Sequence, residues 1–317
     1  MAFVLKLAVR DWDFITPLLL GDVCSDRFTL ELHRVNALVN DLAGDARYDG
    51  GETSLSRYTQ GRMRGETAML GIPYFIMRAF RQRCIITAQD SPLTRLDQLA
   101  GKKIGLTGWQ DSGNVWTRAL TRAAGVGLDD ANWYVGRLTA DHPIMDRLNG
   151  FGEPGRIEAV PDEAPMVECL RDGRLDAIFT PFMPPGFFAA DSGLRTLQPD
   201  SRAAELAYFA QTGYVPGIHL LTLKAALVAE HPWLPEALAE LFAESKRVWL
   251  EKRVKYADTT PWLLEELGRS LRDLPDTWEQ SGFDANLPML EGFCEELFAQ
   301  RITPQRLDPK IIFPSTF

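Results

Sequence analysis

Cysteine, histidine and surplus positive charge are all scarce in this chain, and each shortage removes a class of protein. The four cysteines, Cys24, Cys84, Cys169 and Cys294, are scattered over 317 residues with no Cys-x-x-Cys pair. That spacing predicts free thiols rather than a disulfide framework or a zinc site. Histidine also occurs only four times, and neither Asp141-His142 nor Asp11-x-Asp13 has the spacing of a metal-ligand set, so no metal is expected. A formal net charge of −9 argues against a nucleic-acid partner, because phosphate binding relies on clustered Lys and Arg. No apolar run approaches the roughly 20 residues that cross a bilayer, so no membrane contact is expected either. The opening MAFVLKLAVRDWD reaches charged residues too early for the apolar core of a signal peptide, and the expected location is the cytoplasm.

What is present fits a folded protein with room for two packed domains: 45% apolar and 24% charged residues over 317 positions. Strands are expected at 4–9, 28–35, 72–77, 84–87, 102–107, 132–138 and 217–224 from apolar runs and period-two alternation. Helices are expected over 36–43, 54–64, 91–101 and 112–124, then after residue 232 and over 284–301. Within the later helical stretch, Leu238, Leu241, Phe242, Val248 and Trp249 fall on one stripe. Strand–helix–strand alternation of this kind predicts α/β units with a mainly parallel sheet. The order is accommodated by a first lobe made of 1–88 and 216–317, carrying the C-terminal helices, and a second lobe made of 89–215.

The stretch Tyr48–Arg83 concentrates the chemistry. Glu52, Ser54 and Ser56 stand at a helix start, and Arg78, Arg81 and Arg83 follow an apolar strand. A local arginine cluster can bind a small anion inside an acidic protein.

Several pieces of the sequence, namely ETSLSRY, FIMRAFR, KKIGL followed by WQDSGNVWTRAL, GEPGRIE, TGYVPGIHLLTLK and HPW, resemble the 4,5-dihydroxyphthalate decarboxylase family from about residue 5 to 298. Glu52-x-Ser54, Arg78-x-Phe80-Arg81, Trp116-x-Arg118 and His219 in that order carry most of the likeness. The pattern departs from the family at Gln82-Arg83, at Gly108-Trp109-Gln110, at Ser112 and near Ala285-Asn286, which ties the likeness to a class of reaction more than to one substrate. The resemblance implies an α/β, two-lobe fold like the type II periplasmic binding proteins, with a ligand cleft between lobes. It also implies a decarboxylase that works on an anionic aromatic ligand without a cofactor; self-association is left open.

Each candidate residue has a plainer reading beside the functional one. Glu52 reads as a proton-exchanging carboxyl or as a partner for a nearby arginine. Ser54, Ser112 and Gly113 lie at helix starts, where free N–H groups favour a carboxylate but where ordinary capping needs the same residues. Arg78 and Arg81 suit two-pronged binding of a carboxylate, with a solvated basic loop as the alternative, and Arg83 suits it least. Trp109 and Trp116 could stack on an aromatic ligand, though tryptophan is more often core. His219 is the best general acid/base candidate, since imidazole titrates near neutral pH; a lone histidine is otherwise a structural hydrogen-bonder. Three functions fit: a decarboxylase, a non-catalytic solute-binding protein, or another lyase on the same scaffold.

Overall fold

In the computed structural model, which describes residues 3–313, the alternating opening residues become β1 (Val4–Arg10), with Leu5, Leu7 and Val9 fully buried. A short helix α1 (Thr16–Leu19) stops before Gly21, whose φ of +76° is a left-handed conformation that glycine adopts at no steric cost. β2 (Thr29–Val35) pairs parallel with β1, and β3 (Gly50–Ser54) pairs parallel with the other side of β1. Between them the helix expected over 36–43 is absent, and those residues form turns and bends. Asp41 Oδ1 there accepts from the Gly44 amide at 2.9 Å, a local bond that competes with helical hydrogen bonding. α2 (Leu55–Met63) follows β3 directly, and β4 (Met69–Arg78) then completes the first run of strands.

The chain next builds β5 (Ile85–Ala88), β6 (Lys103–Leu106), α3 (Ser112–Ala123), β7 (Asn132–Val135) and β8 (Ile157–Ala159). The helix expected over 91–101 shrinks to a single 3-10 turn, Leu96–Leu99, because Gln98 Oε1 takes the amides of Thr94 and Arg95 and ends the turn on itself. α4 (Met166–Arg171), β9 (Ala177–Phe179), β10 (Leu194–Thr196) and α5 (Ser201–Thr212) follow. β11 (Gly217–Lys224), α6 (Ala225–Glu230), α7 (Leu234–Lys255), α8 (Leu263–Asp273) and α9 (Phe283–Ala299) complete the order. None of the described helices is long and apolar enough to cross a membrane.

Two sheets result, β2-β1-β3-β11-β4 and β10-β5-β9-β6-β7-β8. Both are mixed: the first has as many antiparallel pairings as parallel ones, while the second is mainly parallel. In the first, β11 runs antiparallel to β3 and β4. Gly217 is paired with Arg78, so the chain re-enters the sheet at the end where β4 left it and has to run the other way. In the second, β5 is antiparallel to β9 and β10, while the β9-β6-β7-β8 pairs are parallel.

The chain divides into two units whose boundaries differ from the expected ones. The first holds the residues up to Arg78, Gly217–Leu290 and those from Asp308 on; the second holds Ala79–Pro216 and Glu291–Leu307. The first crossing falls at 78/79 rather than at 88, because β5 pairs with β9 and β10 in the second sheet. Part of the C-terminal region also belongs to the second unit, where Gln300 Nε2 donates to the Val115 carbonyl at 2.8 Å and the Phe293 ring lies 5.2 Å from Trp116. In the first unit, Leu5, Leu7, Val9, Ile72, Ile76, Leu221 and Leu223 from the sheet meet Leu238, Leu241 and Phe242 of α7, with Val248 and Trp249 packed at the margin. The second unit has its own core around Ile86, Val160, Met166, Leu170 and Ile178.

Candidate functional site

Two glycines bring β3 unusually close to its neighbours. A Cβ on Gly50 would stand 2.2 Å from the Thr222 carbonyl oxygen, and one on Gly51 would stand 2.3 Å from that of Ala8. The next residue, Glu52, is thereby held between β1 and β11. The register sets Glu52 opposite Leu221 and Ser54 opposite His219, so Glu52 and His219 share one face as diagonal neighbours, within reach of long side chains. They meet at 2.5 Å, His219 Nδ1 to Glu52 Oε1. The second carboxylate oxygen, Oε2, accepts from the Arg10 amide and from Trp12 Nε1, each at 2.9 Å.

The Glu52 side chain is 0% exposed and that of His219 is 11% exposed. Burial by itself pushes the Glu52 carboxyl up, but the bond from His219, its charge, the Arg10 amide and Trp12 together outweigh burial and hold it below the ordinary carboxylate value. An ionised Glu52 accepts a proton bond at Oε1, so Nδ1 carries that proton and Nε2 is the ring atom left for proton exchange. Glu52 itself, enclosed and accepting three bonds, is arranged to hold the imidazole rather than to touch a ligand.

Arg81 lies in the second unit and is 2% exposed. Its Nε donates to Thr117 Oγ1 at 3.2 Å and its Nη2 to the Thr180 carbonyl at 3.1 Å, and no carboxylate pairs with it among the described residues. Burial pushes this guanidinium down from its usual range. A Cβ on Gly113 would stand 2.9 Å from Arg81 Nη2 and 3.5 Å from Nη1, so the guanidinium lies against the first turn of α3, where Ser112 is the first helical residue. The structure thus brings Arg81, Ser112 and Gly113 into one place.

The remaining residues take structural positions. Ser54 caps α2, its Oγ accepting from the Arg57 amide at 3.5 Å. Arg78 donates to Asn286 Oδ1 and, at 3.2 Å, to the Gln280 carbonyl, and stacks on Phe75 at 4.7 Å. Trp109 is 1% exposed, edge-on to Trp133 at 5.8 Å and covered by the Arg118 guanidinium at 4.0 Å, so its ring is core and has no free face for a ligand. Arg83 is exposed.

Two further residues were not singled out as site residues, although Arg118 belongs to the Trp116-x-Arg118 motif. Trp12 sits just past β1, and only the β1–β3 pairing brings it to Glu52. Arg118, fully buried, bonds Gln300 Oε1 at 2.8 Å and the Trp109 carbonyl at 2.6 Å, while its Nη1 has no hydrogen-bond partner among the described residues; burial pushes the guanidinium down to about 9. A cavity of about 350 Å³ lies away from Glu52, lined by Thr16, Trp249, Lys252, Arg253, Tyr256 and Leu263 among others. Its Lys252 and Arg253 are already paired with Asp22 and Asp13. Among the described residues no cluster of His, Cys, Asp or Glu could hold a metal ion.

The fold is that of the periplasmic binding proteins: the chain is similar to the crystal structure of the periplasmic aliphatic sulphonate binding protein SsuA from Escherichia coli, with a TM-score of 0.60 and 14% identity over 99% of this chain and 98% of that one. In sequence it is similar to a curated 4,5-dihydroxyphthalate decarboxylase from Comamonas testosteroni, 27% identical over 98% of this chain and 96% of the relative. A protein of the same name from Pseudomonas putida is 27% identical over 66% of this chain and 83% of the relative. No family model matches the chain. The resemblance read from the sequence motifs therefore extends along nearly the whole chain.

Proposed function

We propose that this chain is a carboxy-lyase that decarboxylates a hydroxylated aromatic carboxylic acid. The observation that carries the reading is the 2.5 Å Glu52–His219 pair, a buried carboxylate fixing an imidazole whose other nitrogen is left for proton transfer. The names of the two relatives point to the same reaction class and make 4,5-dihydroxyphthalate the first compound to test.

In this reading the His219 imidazolium gives its Nε2 proton to the ring carbon that bears the departing carboxylate. A ring hydroxyl ortho or para to that carbon supplies electron density, passing its own proton to solvent as the ring carbon accepts one. The bond to the carboxylate then breaks, carbon dioxide leaves, and the electron pair of that bond restores aromaticity as a phenolate, which regains its proton from solvent as Nε2 does. Glu52 stabilises the charged imidazole and fixes its orientation, the positioning that an acid/base group requires. Separately, within the second unit, Arg81, buried and with no acid partner among the described residues beside the start of α3, has the chemistry to hold a carboxylate. The departing carboxylate should not be the one gripped hardest, since stabilising it in the ground state raises the barrier. Apart from solvent protons, the scheme draws only on the chain's own groups.

Carbon dioxide release from 4,5-dihydroxyphthalate and a panel of hydroxylated aromatic acids tests the reading, with release from at least one expected. A second reading, a non-catalytic binding protein for a small anion, is favoured by the likeness to SsuA. Calorimetric binding of those acids with no carbon dioxide formed would replace the first reading by the second.

A further inference from the structure

The structure assigns Trp12 as a positioning residue for His219, acting through Glu52: its indole N–H fixes the carboxylate that in turn fixes the proton on Nδ1. This rests on the acid/base reading of His219 given above, but its test does not use turnover.

The geometry is specific. Trp12 Nε1 donates to Glu52 Oε2 at 2.9 Å while His219 bonds the opposite oxygen, Oε1. The carboxylate is therefore gripped at both ends and cannot turn without losing one of them. The Trp12 backbone is itself pinned, its amide donating to the Arg10 carbonyl at 2.8 Å and its carbonyl accepting from the Ile15 amide at 3.1 Å. The ring packs on the core of the first unit. Such a placement serves a hydrogen bond as much as it serves packing, because a phenylalanine ring would fill most of the same apolar space.

The groups that set the charge on Glu52 come from two strands. His219 reaches it from β11, and the Arg10 amide and the Trp12 indole reach it from the end of β1. Removing the indole donor leaves Oε2 with one partner and makes the carboxylate more basic. A more basic carboxylate accepts the Nδ1 proton bond more strongly, which shows at the Nδ1–H itself.

The test is NMR of the imidazole N–H signals, which the small number of histidines makes tractable: there are four, and His219→Gln identifies the one concerned. In Trp12→Phe the His219 Nδ1–H resonance is expected to move downfield, the mark of a stronger bond to a more basic carboxylate. An unchanged Nδ1–H resonance in a folded Trp12→Phe protein overturns the proposal. Should that variant fail to fold, the Trp12 indole N–H resonance decides: it should move in Glu52→Gln, where its acceptor loses its charge, and a resonance that ignores that substitution overturns the assignment equally. Neither outcome depends on carbon dioxide release, so failure of the decarboxylase reading is seen separately.

Discussion

Replacing Glu52 by glutamine separates the chemistry of the site from the stability of the fold. The amide has the shape of the carboxylate, and its oxygen can keep the two donors at 2.9 Å, the Arg10 amide and Trp12 Nε1. Its NH2 group must then face His219 Nδ1, where an acceptor stood at 2.5 Å. Nδ1 is forced to accept, the ring proton moves to Nε2, and the imidazolium loses its counter-charge. General acid–base catalysis contributes about 10²–10⁴-fold, so Glu52→Gln should lower kcat by that order with little change in KM. The effect on stability should be small. Charge-assisted hydrogen bonds are worth about 1.5–3 kcal/mol each, but a buried carboxylate carries a desolvation penalty of several kcal/mol that the amide escapes. The two nearly offset, and we expect a change within about 2 kcal/mol, or a few degrees in Tm.

The pH dependence provides an internal control. Glu52 ionises below its ordinary value in the folded chain, so its contribution to stability is complete above about pH 4.3 and is lost as pH falls through the folded pKa. Wild type should therefore lose stability relative to Glu52→Gln below about pH 4, read as converging or crossing urea midpoints. Full turnover on the true substrate in Glu52→Gln would refute the role given to the pair. So would a loss of Tm large enough to account for the lost activity by unfolding.

Two further substitutions probe the surroundings. Arg81→Met removes a buried cation that no described carboxylate pairs with; Tm should hold or rise, while calorimetric affinity for an aromatic dicarboxylate falls about 10-fold or more, the worth of a charged hydrogen bond. A Tm drop beyond about 5 °C, more than 1 kcal/mol for a domain of this size, would show that Arg81 serves the fold instead. Gly51→Ala would drive a Cβ to 2.3 Å from the Ala8 carbonyl oxygen, which as backbone cannot step aside. A cost of about 1–3 kcal/mol is expected from chemical unfolding, and an unperturbed midpoint would mean that β1 and β3 tolerate wider spacing.

What the sequence disclosed and what it hid follow from the range of the interactions concerned. β1, β2, α3 and β11 were readable because each carries its own periodicity over at least four residues, and Ser54 was readable as a cap because capping is local. α5 also has local signals, an Asp200 side chain accepting from the Ala203 amide and a stretch rich in alanine, but without a strong apolar stripe its periodicity does not announce a helix. The unit boundary at 78/79 was hidden, since an apolar run such as β5 looks the same in either sheet. Glu52 and His219 were each singled out, but their bond joins residues 167 positions apart and exists only through the β3–β11 register. Trp109 could not be assigned to core or ligand before Arg118 was seen stacked on its face.

The net charge of −9 describes the surface of this chain poorly as a guide to its interior. The first turns of α3 hold two buried guanidinium groups, Arg81 against Gly113 and Thr117, and Arg118 on the helix itself, whose Nη1 finds no hydrogen-bond partner among the described residues. Asp111 and Glu296 act on Arg118 through space. Cations near a helix N-terminus meet the positive end of its dipole, so their position is unfavourable as well as desolvated. Apolar side chains of similar volume would serve packing at lower cost, and proteins held just above a stability threshold keep such costs where function requires them. Stored positive potential beside a helix start is what an anionic ligand would relieve. That is why Arg81, rather than the well-bonded Arg78, is the arginine whose loss should weaken binding without weakening the fold.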